Sequence, residues 1–107
     1  MENEKEVTNK EYVGMWLKKD KNGNDYLSGS NEKNLFFVFR DSKDSTKKTI
    51  HSKDLFDADA DLTKLGTLEN VEGSEGTYQK FKNMYIFVNN RRTKDTHPDF
   101  NMIIYND

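Results

Sequence analysis

Two short runs of large apolar residues constrain the fold of this chain more than any other feature. They are NLFFVFR at residues 34–40 and MYIFVNN at residues 84–90. Successive side chains of a β-strand point to opposite faces, and both runs place large apolar residues on both faces. A small protein can cover both faces of such strands in a sandwich, in a closed barrel, with a packed helix or with a partner subunit, for which a homodimer would suffice.

Three further runs are rich in aromatic or β-branched residues and are bounded by turn formers. They span residues 12–17, 25–30 and 99–106. The sequence therefore predicts a mainly β protein, either a small five-stranded antiparallel sheet or an OB-like barrel. Because 107 residues are too few for two ordinary domains, we expect one β-rich domain at 12–107, preceded by a flexible acidic N-terminus at 1–11.

The middle of the chain, residues 41–80, is more polar, and we expect it to be an insertion that contains one short helix. Ser52 or Asp54 would cap the start of this helix, and Gly66 would end it. Four apolar residues have a spacing compatible with one helical face, namely Leu55, Phe56, Leu62 and Leu65. A helix between the third and fourth predicted strands agrees with the element order of an OB-type barrel.

The stretch DKNGNDYLSGS, residues 20–30, is compatible at first sight with a calcium loop or with a hairpin. The positions that an EF-hand requires as glycine and glutamate hold Asp25 and Asn31, so the metal-binding motif is incomplete. The dipeptide Asn22-Gly23 lies between two predicted strands, and both residues tolerate the positive φ of a type I′ turn. We therefore predict a hairpin here, and neither a metal nor another cofactor.

A second carboxylate run, DADAD, contains Asp57, Asp59 and Asp61 and also fails the EF-hand pattern. One interpretation is a solvated acidic first turn of the predicted helix, which the helix dipole would favour. The alternative is an acidic surface that binds a basic partner protein.

Catalytic chemistry is not indicated by the sequence. The chain has no cysteine, which excludes a thiolate nucleophile and a disulfide. The two histidines, His51 and His97, lie outside any recognisable nucleophile or metal motif. Without such motifs, we expect no enzymatic activity. No window approaches the roughly 18 apolar residues of a membrane span, so we expect a soluble cytoplasmic protein.

Basic and aromatic residues nevertheless indicate a candidate binding surface for single-stranded DNA or RNA. Although the net charge is −2, two predicted loop regions carry the cations Lys18, Lys19, Arg91, Arg92 and Lys94. In an OB-type barrel such loops flank a face on which bases stack against aromatic rings. The candidate rings are Trp16, Tyr26, Phe37 and Tyr85. The alternative is that these rings belong to the core, because a small domain needs its large side chains inside.

Three short motifs resemble a loose group of small uncharacterised proteins encoded by phages and conjugative elements. The motifs are Trp16-Leu17, Tyr26-Leu27-Ser28-Gly29 and Pro98-Asp99-Phe100. This chain departs from the group by its long middle segment. The resemblance implies an origin in a phage or mobile element and a place in the host cytoplasm. It leaves two classes of partner: single-stranded nucleic acid, or a host defence or replication protein that the chain would inhibit, in an anti-CRISPR-like or anti-restriction-like way, through its acidic surface.

Overall fold

The computed structural model describes residues 9–41, 43–44, 46–57, 59–74 and 76–106. Eight β-strands form a closed antiparallel barrel in which each strand pairs with its neighbours in sequence and the last strand pairs with the first. The strands are β1 (Asn9–Lys19), β2 (Asp25–Ser30), β3 (Asn34–Arg40), β4 (Lys48–Asp54), β5 (Thr63–Gly73), β6 (Gly76–Phe81), β7 (Met84–Val88) and β8 (Phe100–Asn106). The prediction of a mainly β barrel is confirmed, and the predicted number of strands is wrong.

The predicted helix is also wrong, because residues 41–80 contribute the strands β4, β5 and β6. Leu55, Phe56 and Leu62 lie in the loop between β4 and β5, whereas Leu65 lies inside β5. The apolar pattern was misleading because a barrel strand needs apolar residues only on its inner side. In β4, for example, Ile50 is the one large apolar residue, and it is fully buried.

At the N-terminus, residues 1–8 of the expected flexible segment lie outside the described residues. Residues 9–11 form the beginning of β1 and pair with β8. Within the part of the chain that the structure describes, no helix is long and apolar enough to cross a membrane.

The hairpin between β1 and β2 is confirmed, although its turn differs from the predicted type I′. The backbone N–H of Gly23 donates to the carbonyl oxygen of Asp20 at 3.0 Å, and Gly23 has a φ of 84°. Asn22 does not share this positive φ, so the loop is a type I turn closed by a left-handed glycine. The Asp20 carboxylate accepts the backbone N–H groups of Asn24 and Asn22, and the bond from Asn24 is the main cause of its lowered pKa.

Inward side chains from the strands fill the barrel. The buried apolar residues are Val13, Met15, Leu27, Phe36, Val38, Ile50, Leu68, Ile86, Met102 and Ile104. Glycines allow close approach at two interior points: a Cβ on Gly29 would collide with the backbone oxygen of Gly14, and one on Gly66 would collide with the ring of Phe81. The interior is thus a packed core, as expected for an eight-stranded barrel of this size.

The long strands β1 and β5, of 11 residues each, divide the barrel into two similar halves. Each of these strands pairs with one neighbour along its first part and with the other neighbour along its second part. The strands β2 to β4 lie in one half and β6 to β8 in the other. Because β3 and β7 are four strands apart in the closed order of eight, they lie on opposite sides of the barrel.

The strands run alternately in opposite directions, which sorts the loops between the two ends of the barrel. The β1–β2, β3–β4 and β7–β8 loops lie at one end, whereas the β2–β3, β4–β5 and β6–β7 loops lie at the other. The cations of the β7–β8 loop, Arg91, Arg92 and Lys94, therefore lie at the opposite end from Asp57, Asp59 and Asp61 of the β4–β5 loop.

Candidate functional site

A group of rings covers the outer side of the strands β2, β3 and β4. We call it the β2–β4 face, and its members are Tyr26, Phe37, Phe39 and His51. Phe37 and Phe39 alternate along β3 with the buried Phe36 and Val38, so they point away from the core. All four rings remain half-buried. Within the described residues, the inner face of this strand packs into the core, and its outer face is covered only in part.

The rings of the β2–β4 face form a compact platform. The centroids of Phe37 and Phe39 lie 6.0 Å apart, with only 9° between the ring planes. Tyr26 completes a triangle at 5.6 Å from Phe39 and 6.4 Å from Phe37. His51 meets Phe39 edge-on, at 5.1 Å and 68°. Two nearly parallel rings on one strand can each offer a flat surface to a planar ligand.

His51 is held in place by a contact with its own strand. Its Nε2 lies 2.9 Å from the hydroxyl oxygen of Thr49, which also approaches the carbonyl oxygen of Phe39. Burial lowers the pKa of His51, and the nearby charge of Lys64 lowers it further. The structure therefore favours a neutral imidazole, which behaves as one more ring of the platform.

Lysines lie at the edges of the β2–β4 face. Lys18 is paired across strands with Tyr26, Lys64 with His51, and Lys53 with Leu35. The outward positions of β2, β3 and β4 carry no carboxylate, since they hold Tyr26, Ser28, Ser30, Leu35, Phe37, Phe39, Thr49, His51 and Lys53. This face is therefore locally basic although the chain has a net charge of −2.

The predicted site residues on β1 have different environments. Trp16 is 36% exposed, and its indole N–H donates to the carbonyl oxygen of Thr96 at 3.0 Å, so it anchors the β7–β8 loop. Lys18 belongs to the edge of the β2–β4 face, as described above. Lys19 instead forms an ion pair with Asp25 at 2.7 Å.

The β7–β8 loop is fastened to the end of β1. The carboxylate of Asp99 accepts the backbone N–H of Leu17 at 2.8 Å, and it lies 3.4 Å from the guanidinium of Arg92. Arg92 also donates to the carbonyl oxygens of His97 and Asp95, so it stabilises the loop instead of presenting a free charge. The other two predicted cations, Arg91 and Lys94, are exposed. Through Trp16 this loop borders the β1 edge of the β2–β4 face.

The acidic residues of the alternative site lie in the β4–β5 loop, at the far end of the barrel. Asp57, Asp59 and Asp61 are all exposed, and the carboxylate of Asp57 accepts the backbone N–H of Asp59. The interpretation as the first turn of a helix is wrong, since this segment is a loop. Beside these residues, the Phe56 side chain is 80% exposed.

A second group of rings lies on the outer side of β6, β7 and β8, where the sequence had suggested only Tyr85. We call it the β6–β8 face, and its members are Tyr78, Tyr85, Phe87 and Tyr105. Tyr85 was expected to share one binding face with Trp16, Tyr26 and Phe37, but it lies on the opposite side of the barrel. The signal was present in the sequence, because Tyr85-Ile86-Phe87 repeats the ring, aliphatic, ring order of residues 37–39.

Neither a metal centre nor a relative identifies the function of this protein. Within the described ranges, no group of three or more histidine or acidic side chains could hold a metal ion. No protein-family model, no curated protein and no solved structure matches the chain.

Proposed function

We propose that this protein is a non-catalytic binding protein for single-stranded DNA or RNA, and that bases stack on its β2–β4 face. One observation carries the proposal: Phe37 and Phe39 lie parallel on the solvent side of a barrel whose interior is filled by other residues. Contiguous apolar rings on a surface are a mark of a binding site. Stacking of a base on an aromatic side chain contributes about 1–3 kcal/mol and is insensitive to sequence.

The charges around the rings support the same ligand. A stacked strand carries its phosphates beside its bases, and Lys18, Lys53 and Lys64 lie at the edges of the platform. Single-strand binding proteins combine aromatic rings with such cations. The β7–β8 loop, which Trp16 contacts through the carbonyl oxygen of Thr96, adds the exposed cations Arg91 and Lys94. The carboxylates of the β4–β5 loop lie at the other end of the barrel, where they would not oppose binding.

The biological setting is part of the proposal. An accessory protein of a phage or mobile element, working in the host cytoplasm, would meet single-stranded intermediates of replication or transfer. The resemblance of Trp16-Leu17 and Pro98-Asp99-Phe100 to proteins of such elements agrees with this setting.

One observation favours a second candidate, inhibition of a basic host protein. Phe56 is 80% exposed beside the carboxylate of Asp57, and Asp59 and Asp61 follow in the same loop. An exposed ring surrounded by negative charge can anchor a partner with a basic pocket. This candidate uses the end of the barrel that the nucleic-acid proposal leaves free.

Fluorescence anisotropy at low salt, with labelled oligothymidylate and oligouridylate of about 16 nucleotides, tests the first proposal. The double variant Phe37→Ala/Phe39→Ala removes two stacking platforms, so its affinity should fall at least about 30-fold. The double variant Phe37→Leu/Phe39→Leu keeps apolar packing without a flat ring, and it should melt like the wild type yet bind as weakly as the alanine variant.

Two control variants accompany this experiment. Leu35→Ala changes another outward apolar side chain of β3, and Asp57→Asn/Asp59→Asn/Asp61→Asn removes charge from the far end. Both should bind like the wild type. If the wild-type protein fails to bind either oligonucleotide at low salt, where electrostatic attraction is largest, the nucleic-acid proposal is wrong and the second candidate replaces it.

A further inference from the structure

The β6–β8 face repeats the ring geometry of the β2–β4 face. Tyr85 and Phe87 lie on β7 with centroids 6.4 Å apart and 13° between their planes, close to the values for Phe37 and Phe39 on β3. Tyr78 on the preceding strand completes a triangle, at 4.9 Å from Phe87 and 6.2 Å from Tyr85. In both faces, therefore, a parallel pair on the central strand is joined by a tyrosine from the strand before it.

A fourth ring extends each platform from the following strand. Tyr105 meets Tyr85 edge-on at 5.3 Å and 90°, as His51 meets Phe39 in the other face. Each fourth ring also has a lysine as its cross-strand partner on the next strand of the barrel. Lys10 of β1 is paired with Tyr105, and Lys64 of β5 is paired with His51.

Lysines contact the rings of the β6–β8 face directly. The Nζ of Lys10 lies 5.5 Å from the centroid of Tyr105, and the Nζ of Lys80 lies 5.8 Å from that of Tyr85. Glu69 is the cross-strand partner of Lys80, and Glu11 follows Lys10 along β1. Two cations over a row of half-buried rings provide the combination of base stacking and phosphate attraction that a single strand requires.

We infer that the β6–β8 face is a second binding site for single-stranded nucleic acid, so that one barrel holds two strand segments on opposite sides. This inference rests on the function proposed for the β2–β4 face. Because β3 and β7 lie on opposite sides of the barrel, one compact stretch of a few nucleotides cannot occupy both faces. Two separate short oligonucleotides can, and the barrel would then bridge them.

A bridging assay tests the second site. A biotinylated oligothymidylate of about 8 nucleotides is immobilised, the protein is added, and recruitment of a fluorescent oligothymidylate of the same length is measured at low salt. These strands cannot pair with each other, so recruitment requires two sites. The wild-type protein should recruit the second strand, and sedimentation should show one protein chain with two oligonucleotides.

The double variant Tyr85→Leu/Phe87→Leu should still bind the immobilised strand, while its recruitment of the second strand should fall at least about 30-fold. Val88→Ala, at a 54% exposed position of the same strand, is the matched control and should bridge like the wild type. Bridging should also be lost in Phe37→Leu/Phe39→Leu, because either face alone holds one strand.

The outcomes separate the two proposals. If the wild-type protein binds neither oligonucleotide, the proposed function itself is wrong. If it binds one oligonucleotide per chain and the Tyr85→Leu/Phe87→Leu variant binds equally well, only the second site is refuted. The second site is also refuted if bridging comes from a protein dimer with one oligonucleotide on each chain, which would make the β6–β8 face a protein interface.

Discussion

The two aromatic faces share a ring geometry and differ in charge. At the edge of the β2–β4 face, the second part of β1 contributes Trp16 and Lys18, cross-strand from Ser28 and Tyr26. At the equivalent edge of the β6–β8 face, the second part of β5 contributes Glu69 and Val71. The β2–β4 face is therefore the more basic one, and we expect it to bind single strands more tightly.

The ring geometry and the charges of the two faces have different physical causes. The ring triangles follow from strand alternation, because a residue two positions along a strand returns to the same face about 6.6 Å away. The charges follow from individual residues at the edges, which the backbone does not constrain. Two halves of one barrel can thus have the same stacking geometry and a different electrostatic attraction for phosphate.

The largest expected effect is a loss of stability, and it shows whether the outer rings lie outside the core. Phe36→Ala and Ile86→Ala remove inward side chains that are 4% and 2% exposed, and each should lower the free energy of unfolding by about 3–4 kcal/mol. Substitution of their outward neighbours, Phe37→Ala and Tyr85→Ala, should lower the free energy of unfolding less, by about 1 kcal/mol each. Urea unfolding monitored by circular dichroism measures the four values. Equal losses for inward and outward positions would show that the rings are structural, and both faces would lose their assigned role.

A smaller effect concerns the difference in charge between the faces. Replacing Lys18, Lys53 and Lys64 with glutamine should lower the slope of log affinity against log salt by about 2, at about 0.7 for each lost phosphate contact. Replacing Lys10 and Lys80 should lower it by only about 0.7, because Glu69, cross-strand from Lys80, would repel the same phosphates. Anisotropy titrations over a range of salt concentrations give both slopes. An equal change for the two sets would contradict the claim that the faces differ in electrostatic attraction.

The smallest expected effect is a pH dependence of stability that comes from His51, the one imidazole among the eight rings of the two faces. Burial, followed by the charge of Lys64, lowers its pKa in the folded protein. Above the ordinary histidine pKa of about 6.5, the neutral imidazole contributes its full share to the free energy of unfolding. This contribution is lost as the pH falls from about 6.5 through the lowered pKa of the folded protein. The melting temperature should decrease modestly from about pH 7.5 to about pH 5.

Two variants isolate this pH effect. His51→Gln should flatten the decrease in melting temperature, whereas Tyr105→Phe in the other face should leave it unchanged. The carboxylates of Asp20 and Asp44 have lowered pKa values, so their contributions are lost only in more acidic solution. A decrease that persists in full in His51→Gln would assign the pH effect to another group.

Part of the candidate site was predictable from the sequence. The strands β2 and β3 coincide with the predicted ranges 25–30 and 34–40. Of the residues that the sequence suggested for a binding surface, Tyr26 and Phe37 lie on the β2–β4 face and Lys18 lies at its edge. Phe39 and His51 were not assigned to a site, because linear spacing does not reveal which neighbouring strand supplies the next ring. Arg92 was predicted to contact phosphate, yet its guanidinium is occupied by Asp99 and two backbone carbonyl groups.

The sequence by itself determined the central strands of both halves. The runs at 34–40 and 84–90 are so rich in aromatic and β-branched residues that few other local structures suit them. It also determined the hairpin at Gly23, where a glycine between two strands permits the left-handed turn. These features are local, because each depends on the conformational preferences of a few adjacent residues.

Only the tertiary structure decided that the described residues form eight strands and that the rings lie on two separate faces. The strands β4, β5 and β6 carry few apolar residues, and they are strands because backbone hydrogen bonds to their neighbours close the barrel. Closure also places β3 and β7 on opposite sides, which separates Tyr85 from Phe37. These features depend on pairing between residues that are distant in the chain, and hydrophobic periodicity does not encode that pairing.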